Sequence, residues 1–374
     1  MTSTMSPRHE SIPTADTEPD RTLSWGRHYL TVDPEHFRVD YAINPYMDLR
    51  DQPDLALARR QWEGLLAALR DAGAVVDVLD QRPDSPDMVY AMNLGLAVEQ
   101  APDPVLGSPA DPAGLPVTRR VVLSHMRWPQ RRLEVRTAMP WFVDHGFVPA
   151  YVGRDGVGAH LEAGDAFAFG DALVVGHGPR TEELALKHLA AELDVRVRGL
   201  RITHPGMYHL DLAFCPLDAT RAMVCPAAFD DASAAAALSL VPEPLVLSEE
   251  EALTFCANSV VVGRTVLMPA CPPRVRAVLE GWGFEVRLID VSEFHKGGGS
   301  IRCLTNPLDV RVGRDLPRVL GGEVVLVDVS EFHKGGGSIR CLTNPVDVRI
   351  GRDLPALPGG AVVLPAVGRA ADTR

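Results

Sequence analysis

Two thiols in this sequence stand in identical settings. The stretch EFHKGGGSIRCLTNP occurs at residues 293–307 and again at 331–345, so Cys303 and Cys341 each follow a run of glycines and an arginine. A positive neighbour lowers a thiol pKa and raises the thiolate fraction that a nucleophile needs. Glycines let the backbone approach a ligand closely, and the residues after them read as a short strand. A buried structural cysteine beside an ordinary hairpin would look the same. Cys215, Cys225, Cys256 and Cys271 lie in apolar runs or at a helix start and read as structural.

A thiol nucleophile needs a proton shuttle. His209, in GMYHLDLAF, lies on a strand-like run with Asp211 two residues on. Period-two alternation would put both on one face of that strand, although an exposed strand face carries such pairs by chance. Glu162, in HLEAGDAFAFGDAL, sits in a turn of small residues that leave room for a ligand; a solvated turn acid is the plainer reading. Asn93 ends PDMVYAMN and Asn44 lies in YAINPYMD, while Arg131, Arg132 and Arg180 read singly as surface arginines.

The elements that must position these groups alternate between strand and helix. Strands are predicted at 27–32, 74–80, 94–99, 120–125, 147–152, 172–178, 265–270 and 284–290, by short apolar runs between turn residues. Helices are predicted at 53–73, 130–146, 181–193 and 273–283, and a capping box opens another over 248–257. Residues 100–117 form a Pro/Gly/Asp loop. A strand pair and a helix recur every sixty or so residues, which predicts one α/β domain of similar modules.

Composition narrows the partners. The 374 residues are 46% apolar and 23% charged, with a formal net charge of −12. That balance argues against nucleic acid or an anionic membrane as partner and is compatible with small substrates, cationic ones included. No apolar run is long enough to span a membrane. Residues 1–23 are polar, without a signal-peptide core, and predict a disordered tail on a cytoplasmic protein. Residues 290–317 and 328–355 match at all but two positions, Leu308/Val346 and Val312/Ile350. Two near-identical copies read as a recent duplication of one segment, or as an error of sequence assembly, and not as a solenoid, which needs at least three repeats. The domain organisation predicted is a tail (1–23), a catalytic domain (24–320) and a duplicated C-terminal segment (321–374).

In order along the chain, INPYM, PDMVYAMN, HLEAGD, GPRT, YHLD and GGGSIRC resemble the motifs of the guanidine-modifying enzymes of the pentein fold. That superfamily includes arginine deiminase, dimethylarginine dimethylaminohydrolase, arginine dihydrolase and the amidinotransferases. The resemblance implies a pseudo-fivefold α/β propeller around a narrow polar site. It implies hydrolysis of a guanidinium C–N bond through a covalent thiouronium on Cys303 or its duplicate Cys341. His209 would act as acid and base, and Glu162 and Asp211 would hold the guanidinium. Arg180, with Arg131 or Arg132, would hold the substrate carboxylate, and Asn93 and Asn44 would line the site. No metal or cofactor is implied, and a homo-oligomer is compatible. Asn93 stands where deiminases and methylarginine hydrolases usually carry aspartate. Together with Asp211, it tilts the expected substrate toward arginine over dimethylarginine. An amidinotransferase, or a non-catalytic arginine-binding protein spoiled by the duplication, are the alternatives. Of the two copies, the first follows a full strand–helix–strand module, which favours Cys303.

Overall fold

The computed structural model describes residues 22–23, 25–100 and 118–312. All of the predicted tail but residues 22–23, nearly all of the 100–117 loop and the second repeat copy with Cys341 lie outside the described residues.

Helix α1 (Leu55–Asp71) shows how local chemistry builds the modules. The Asp54 carboxylate caps it, accepting from the backbone N–H of Ala56 and Leu57. Trp62, Leu65, Leu66 and Leu69 fall on one buried face at helical spacing, each contributing roughly 1.5–3 kcal/mol by leaving water. Gly73, at φ +96°, ends the helix where an L side chain would be strained. The chain then enters β2 (Val75–Leu79), parallel to β1 (His28–Val32).

The same unit recurs four times, each with an antiparallel strand pair, a helix and a parallel third strand. In the second, β3 (Gly95–Gln100) and β4 (Thr118–Leu123) are followed by α2 (Arg132–Asp144) and β5 (Val148–Tyr151). A small hairpin, β6 (Gly153–Arg154) and β7 (Val157–Gly158), comes next. The third unit is β8 (Ala166–Phe169), β9 (Ala172–His177), α3 (Glu183–Leu193) and β10 (Val197–Arg201). The fourth is β11 (Phe214–Pro216), β12 (Arg221–Val224), α4 (Asp231–Leu240) and β13 (Glu243–Val246). After α5 (Glu249–Ala252), the fifth is β14 (Val260–Val262), β15 (Thr265–Met268), α6 (Pro273–Gly281) and β16 (Glu285–Leu288).

The first unit lacks its antiparallel strand locally and takes it from the far end of the described chain. After α7 (Ser292–His295), strand β17 (Asn306–Pro307) pairs with β1, and β18 (Val310–Val312) joins β3. The segment carrying Cys303 is therefore held in place by sheets on both sides of the chain's beginning.

Most predicted elements are present, and three differ in kind. The 248–257 segment has its capping box between Ser248 and Glu251 but only one helical turn. The residues after the glycines, 301–304, are turns and not a strand. GMYHLDLAF is not a continuous strand either, because Leu210–Leu212 coil into a 3-10 turn before β11. In both stretches side chains bond to distant loops, and those bonds override local strand preference.

Candidate active site

The candidate residues come from the ends of different units. Cys303, His209, Asn93, Asn44, Arg131 and Arg180 line one small pocket, together with Asp87, Tyr90 and Tyr208. Glu162 and Asp211 lie immediately behind it, fully buried and bonded to the lining residues.

The glycine turn that delivers Cys303 is clamped from three sides. Asn44 donates from Nδ2 to the carbonyl of Gly297, Tyr208 donates its hydroxyl to Gly298 O, and Tyr90 does so to Phe294 O. Gly298 has φ +88°, and a Cβ there would press on Asn44. A Cβ on Gly297 or Gly299 would collide with the Tyr90 ring. The glycines are thus required by close approach of these side chains.

Asn258 fixes the thiol's own turn. Its Oδ1 accepts from the backbone N–H of Arg302 and Cys303 at 3.0 and 3.2 Å, and its Nδ2 donates to Cys303 Sγ at 3.2 Å. The Cys303 thiol donates to Asp211 Oδ2 at 3.3 Å, and among the described residues the buried Asp211 Oδ1 has no hydrogen-bond partner. Burial, followed by the Asp211 charge, pushes the thiol well above its ordinary pKa. Burial also raises Asp211 to about 7, against the hydrogen bond from Cys303. The expectation that Arg302 activates the thiol is corrected here. Its buried guanidinium stacks on Phe167 and Trp25 instead, and the thiol is raised despite its neighbour.

Glu162 is the charge centre of the other side. Its Oε2 accepts from His209 Nε2 at 2.8 Å and Arg180 Nη1 at 3.1 Å, and its Oε1 accepts from the Arg127 N–H at 3.1 Å. Burial alone would raise this carboxyl, but Arg180 and the His209 bond outweigh it and hold it well below the usual carboxylate range. His209 and Asp211 do not share a strand face. His209 precedes the 3-10 turn, Asp211 lies inside it, and both turn toward Gly164, where a Cβ would sit 3.2 Å from Asp211 Oδ2 and 3.4 Å from His209 Nδ1. Asn93 Oδ1 accepts the Gly164 N–H at 2.9 Å.

The doubled arginine splits. Arg131 is buried in the pocket wall, bonded twice to Glu134 and 3.9 Å from Asp87. Arg132 is not in the pocket; it lines a separate cavity and donates from Nε to Met126 O. Among the described residues no group of three or more His, Cys, Asp or Glu is placed to hold a metal ion.

Residues 29–310 match the family model described as N,N dimethylarginine dimethylhydrolase, eukaryotic. The N(G),N(G)-dimethylarginine dimethylaminohydrolase of Mycobacterium tuberculosis is 31% identical over 77% of this chain and 87% of its own length. The chain belongs to the dimethylarginine dimethylaminohydrolase family. The family resemblance extends to a bifunctional arginine dihydrolase/ornithine cyclodeaminase, AgrE of Nostoc, 33% identical over 74% of this chain but only 37% of the relative. The N-terminal domain of ArgZ, a cyanobacterial arginine dihydrolase solved with substrate bound, superposes with a TM-score of 0.67 at 29% identity, covering 76% of this chain and 99% of that one. An AgrE cysteine-to-alanine mutant in complex with L-arginine gives 0.69 at 30% identity, over 78% and 41%.

For this family member, reading by residue type passed over Asp87 and Asn258. Asp87 stands in PDMVYAMN and is buried against Arg131, and its signal is an acid inside an apolar motif. Asn258, in TFCANSVVV, carries no local signal, because all its side-chain bonds are to residues 211 and 302–303.

Proposed function

We propose that this chain is a cysteine-dependent hydrolase of the guanidino C–N bond, with arginine as the preferred substrate over dimethylarginine. The observation that supports this most is the meeting of Cys303, His209 and Asp87 in one small pocket, with Asp211 and Glu162 buried behind it and bonded to Cys303 and His209. Buried carboxylates beside a neutral thiol demand a cation. A planar guanidinium meets that demand with paired N–H donors, and Asp211 Oδ1 is an acceptor awaiting one. The same acid, 3.3 Å from Sγ, crowds the space that terminal methyl groups would need. Arg131 and Arg180 supply positive charge at the pocket wall for the substrate carboxylate.

The bound cation reverses the electrostatics that keep the thiol protonated, so the thiol passes its proton to His209 and the thiolate forms as substrate arrives. Sγ attacks the guanidinium carbon. An S–C bond forms, the C–N bond breaks, and the departing ammonia takes a proton from His209. Water then attacks the thiouronium and gives its proton to His209. The S–C bond breaks as the adduct's hydroxyl proton passes to solvent, releasing citrulline and the thiolate. Glu162 accepts the proton-bearing Nε2 of His209, which leaves Nδ1 to exchange protons. The five sheets close as a propeller around this site, residues 24–320 form the catalytic domain, and residues 321–374 are an appended duplicate. The test is product analysis on arginine and asymmetric dimethylarginine, following ammonia, dimethylamine, citrulline and ornithine. Ammonia and citrulline, or a second cleavage to ornithine, with larger kcat/KM for arginine are expected. A larger kcat/KM for dimethylarginine overturns the substrate choice, and formation of guanidinoacetate only when glycine is added replaces hydrolysis with amidino transfer.

A further inference from the structure

Behind the pocket wall lies a second cavity of about 580 Å³, within the roughly 300–1,000 Å³ of small-molecule sites. Arg132, Arg136 and Arg154 line it against a single carboxylate, Asp155. Arg136 and Arg154 both pair with that carboxylate. Among the described residues, neither Nη of the half-buried Arg132 has a hydrogen-bond partner, since its one bond is from Nε to Met126 O at 3.2 Å. His125, 4% exposed, also faces the cavity. Its Nε2 accepts the Gly156 N–H and its Nδ1 bonds Ala159 O, so it is held neutral and adds no charge. Leu123, Val135, Met139 and Tyr151 supply apolar walls.

The cavity is wired to the catalytic carboxylate through one peptide group. Arg132 Nε–H donates to the carbonyl of Met126, and the N–H of that same peptide, on Arg127, donates to Glu162 Oε1 at 3.1 Å. Hydrogen bonds in such a chain polarise one another, more strongly where the surroundings are dry. Two further links tie the same segment to the Glu162 turn: Ser124 Oγ accepts the Ala163 N–H, and His125 and Leu161 exchange backbone bonds.

We propose that this cavity binds a small organic carboxylate with an apolar body, held by Arg132, and that its occupancy lowers turnover by weakening the Met126–Arg127 link to Glu162. The planar fork of an arginine fits a carboxylate with two parallel bonds, and the apolar walls fit the rest of the ligand. An anion on Arg132 offsets the charge that polarises the peptide, so the Arg127 N–H holds Glu162, and through it His209, less firmly. The effect on turnover rests on the hydrolase reading above; the binding does not.

The experiment titrates benzoate and its neutral isostere benzamide into the full chain by calorimetry. Benzoate binding at one site, with benzamide at least ten-fold weaker, is expected. Arg132→Gln should weaken benzoate at least ten-fold, and so should Met139→Trp, which fills the cavity without changing its charge. Saturating benzoate should lower kcat on arginine several-fold in the wild type and leave kcat of Arg132→Gln unchanged. Benzoate affinity equal in the wild type and both variants, no benzoate binding, or simple competition between benzoate and arginine would each overturn the proposal. If no guanidine is turned over at all, the calorimetry still decides the cavity.

Discussion

Arg131 and Arg132 are adjacent in sequence and belong to different chemical worlds. Arg131 is buried among Glu134 and Asp87 in a pocket where carboxylates surround a thiol. Arg132 enters a roomier cavity where arginines outnumber the one carboxylate. On the readings proposed above, the first region takes a cation and the second an anion, and the peptide between Met126 and Arg127 is hydrogen-bonded to Arg132 on one side and Glu162 on the other. The difference teaches that charge type in a motif says little until burial and partners are known. A fully paired buried arginine is structural as well as functional, whereas a half-paired one is available to a ligand.

The largest effect that would sharpen this contrast is at the nucleophile. Cys303→Ser should lower kcat by about ten-thousand-fold or more, while Cys341→Ser leaves steady-state turnover of arginine unchanged. The reverse pattern would move the reaction to the second repeat copy, and activity surviving in both would mean that either copy can dock.

Next come the proton-transfer groups. His209→Ala and Glu162→Ala should each reduce kcat by about 10²–10⁴-fold, with circular dichroism unchanged. Near-normal turnover in either variant would remove the His209–Glu162 pair from the mechanism.

The two arginines separate at the third level. Arg131→Gln leaves Glu134 and Asp87 as uncompensated buried acids and should cost about 3–5 kcal/mol in urea unfolding. Arg132→Gln, half-exposed and joined by one bond, should cost little stability and change kcat only a few-fold. Equal destabilisation by the two would erase the distinction drawn between the regions.

The smallest effect is in the pH dependence of stability. Burial raises Asp211 to about 7 in the folded protein, above about 4 in an unfolded chain. Between those values the native state holds a proton that the unfolded state has lost, so this group's contribution to stability falls as pH rises through the window. Glu162 has the opposite sign. Its lowered pKa contributes stability above the ordinary carboxylate range, lost as pH falls beneath it. Asp211→Asn should therefore be more stable than the wild type at pH 8, by about 1–4 kcal/mol, with the gap closing near pH 4. Urea titrations at the two pH values check this; a variant no more stable at pH 8 would show that the Asp211 charge is compensated.

Sequence alone determined the elements whose signals are local. Period-3.6 apolar residues with a capping Asp54 and a terminating Gly73 specify α1, and short apolar runs specify the strands, because each signal lies within a few residues of the structure it dictates. The ordered motifs likewise marked Glu162, His209, Asp211 and Cys303 as one group. Tertiary structure alone decided the environments. The thiol's high pKa comes from burial and from Asp211, 92 residues away, and it overrides the neighbouring Arg302 that the sequence presents first. The turns at 210–212 and 301–304 replace the predicted strands because Asp165 accepts the N–H of Leu210 and Asn258 accepts those of Arg302 and Cys303. The split of Arg131 from Arg132, and the closing strand that β17 lends to β1, depend on which surfaces the fold brings together. Those contacts set the solvation of each charge, and solvation, unlike residue type, is not a local property of the chain.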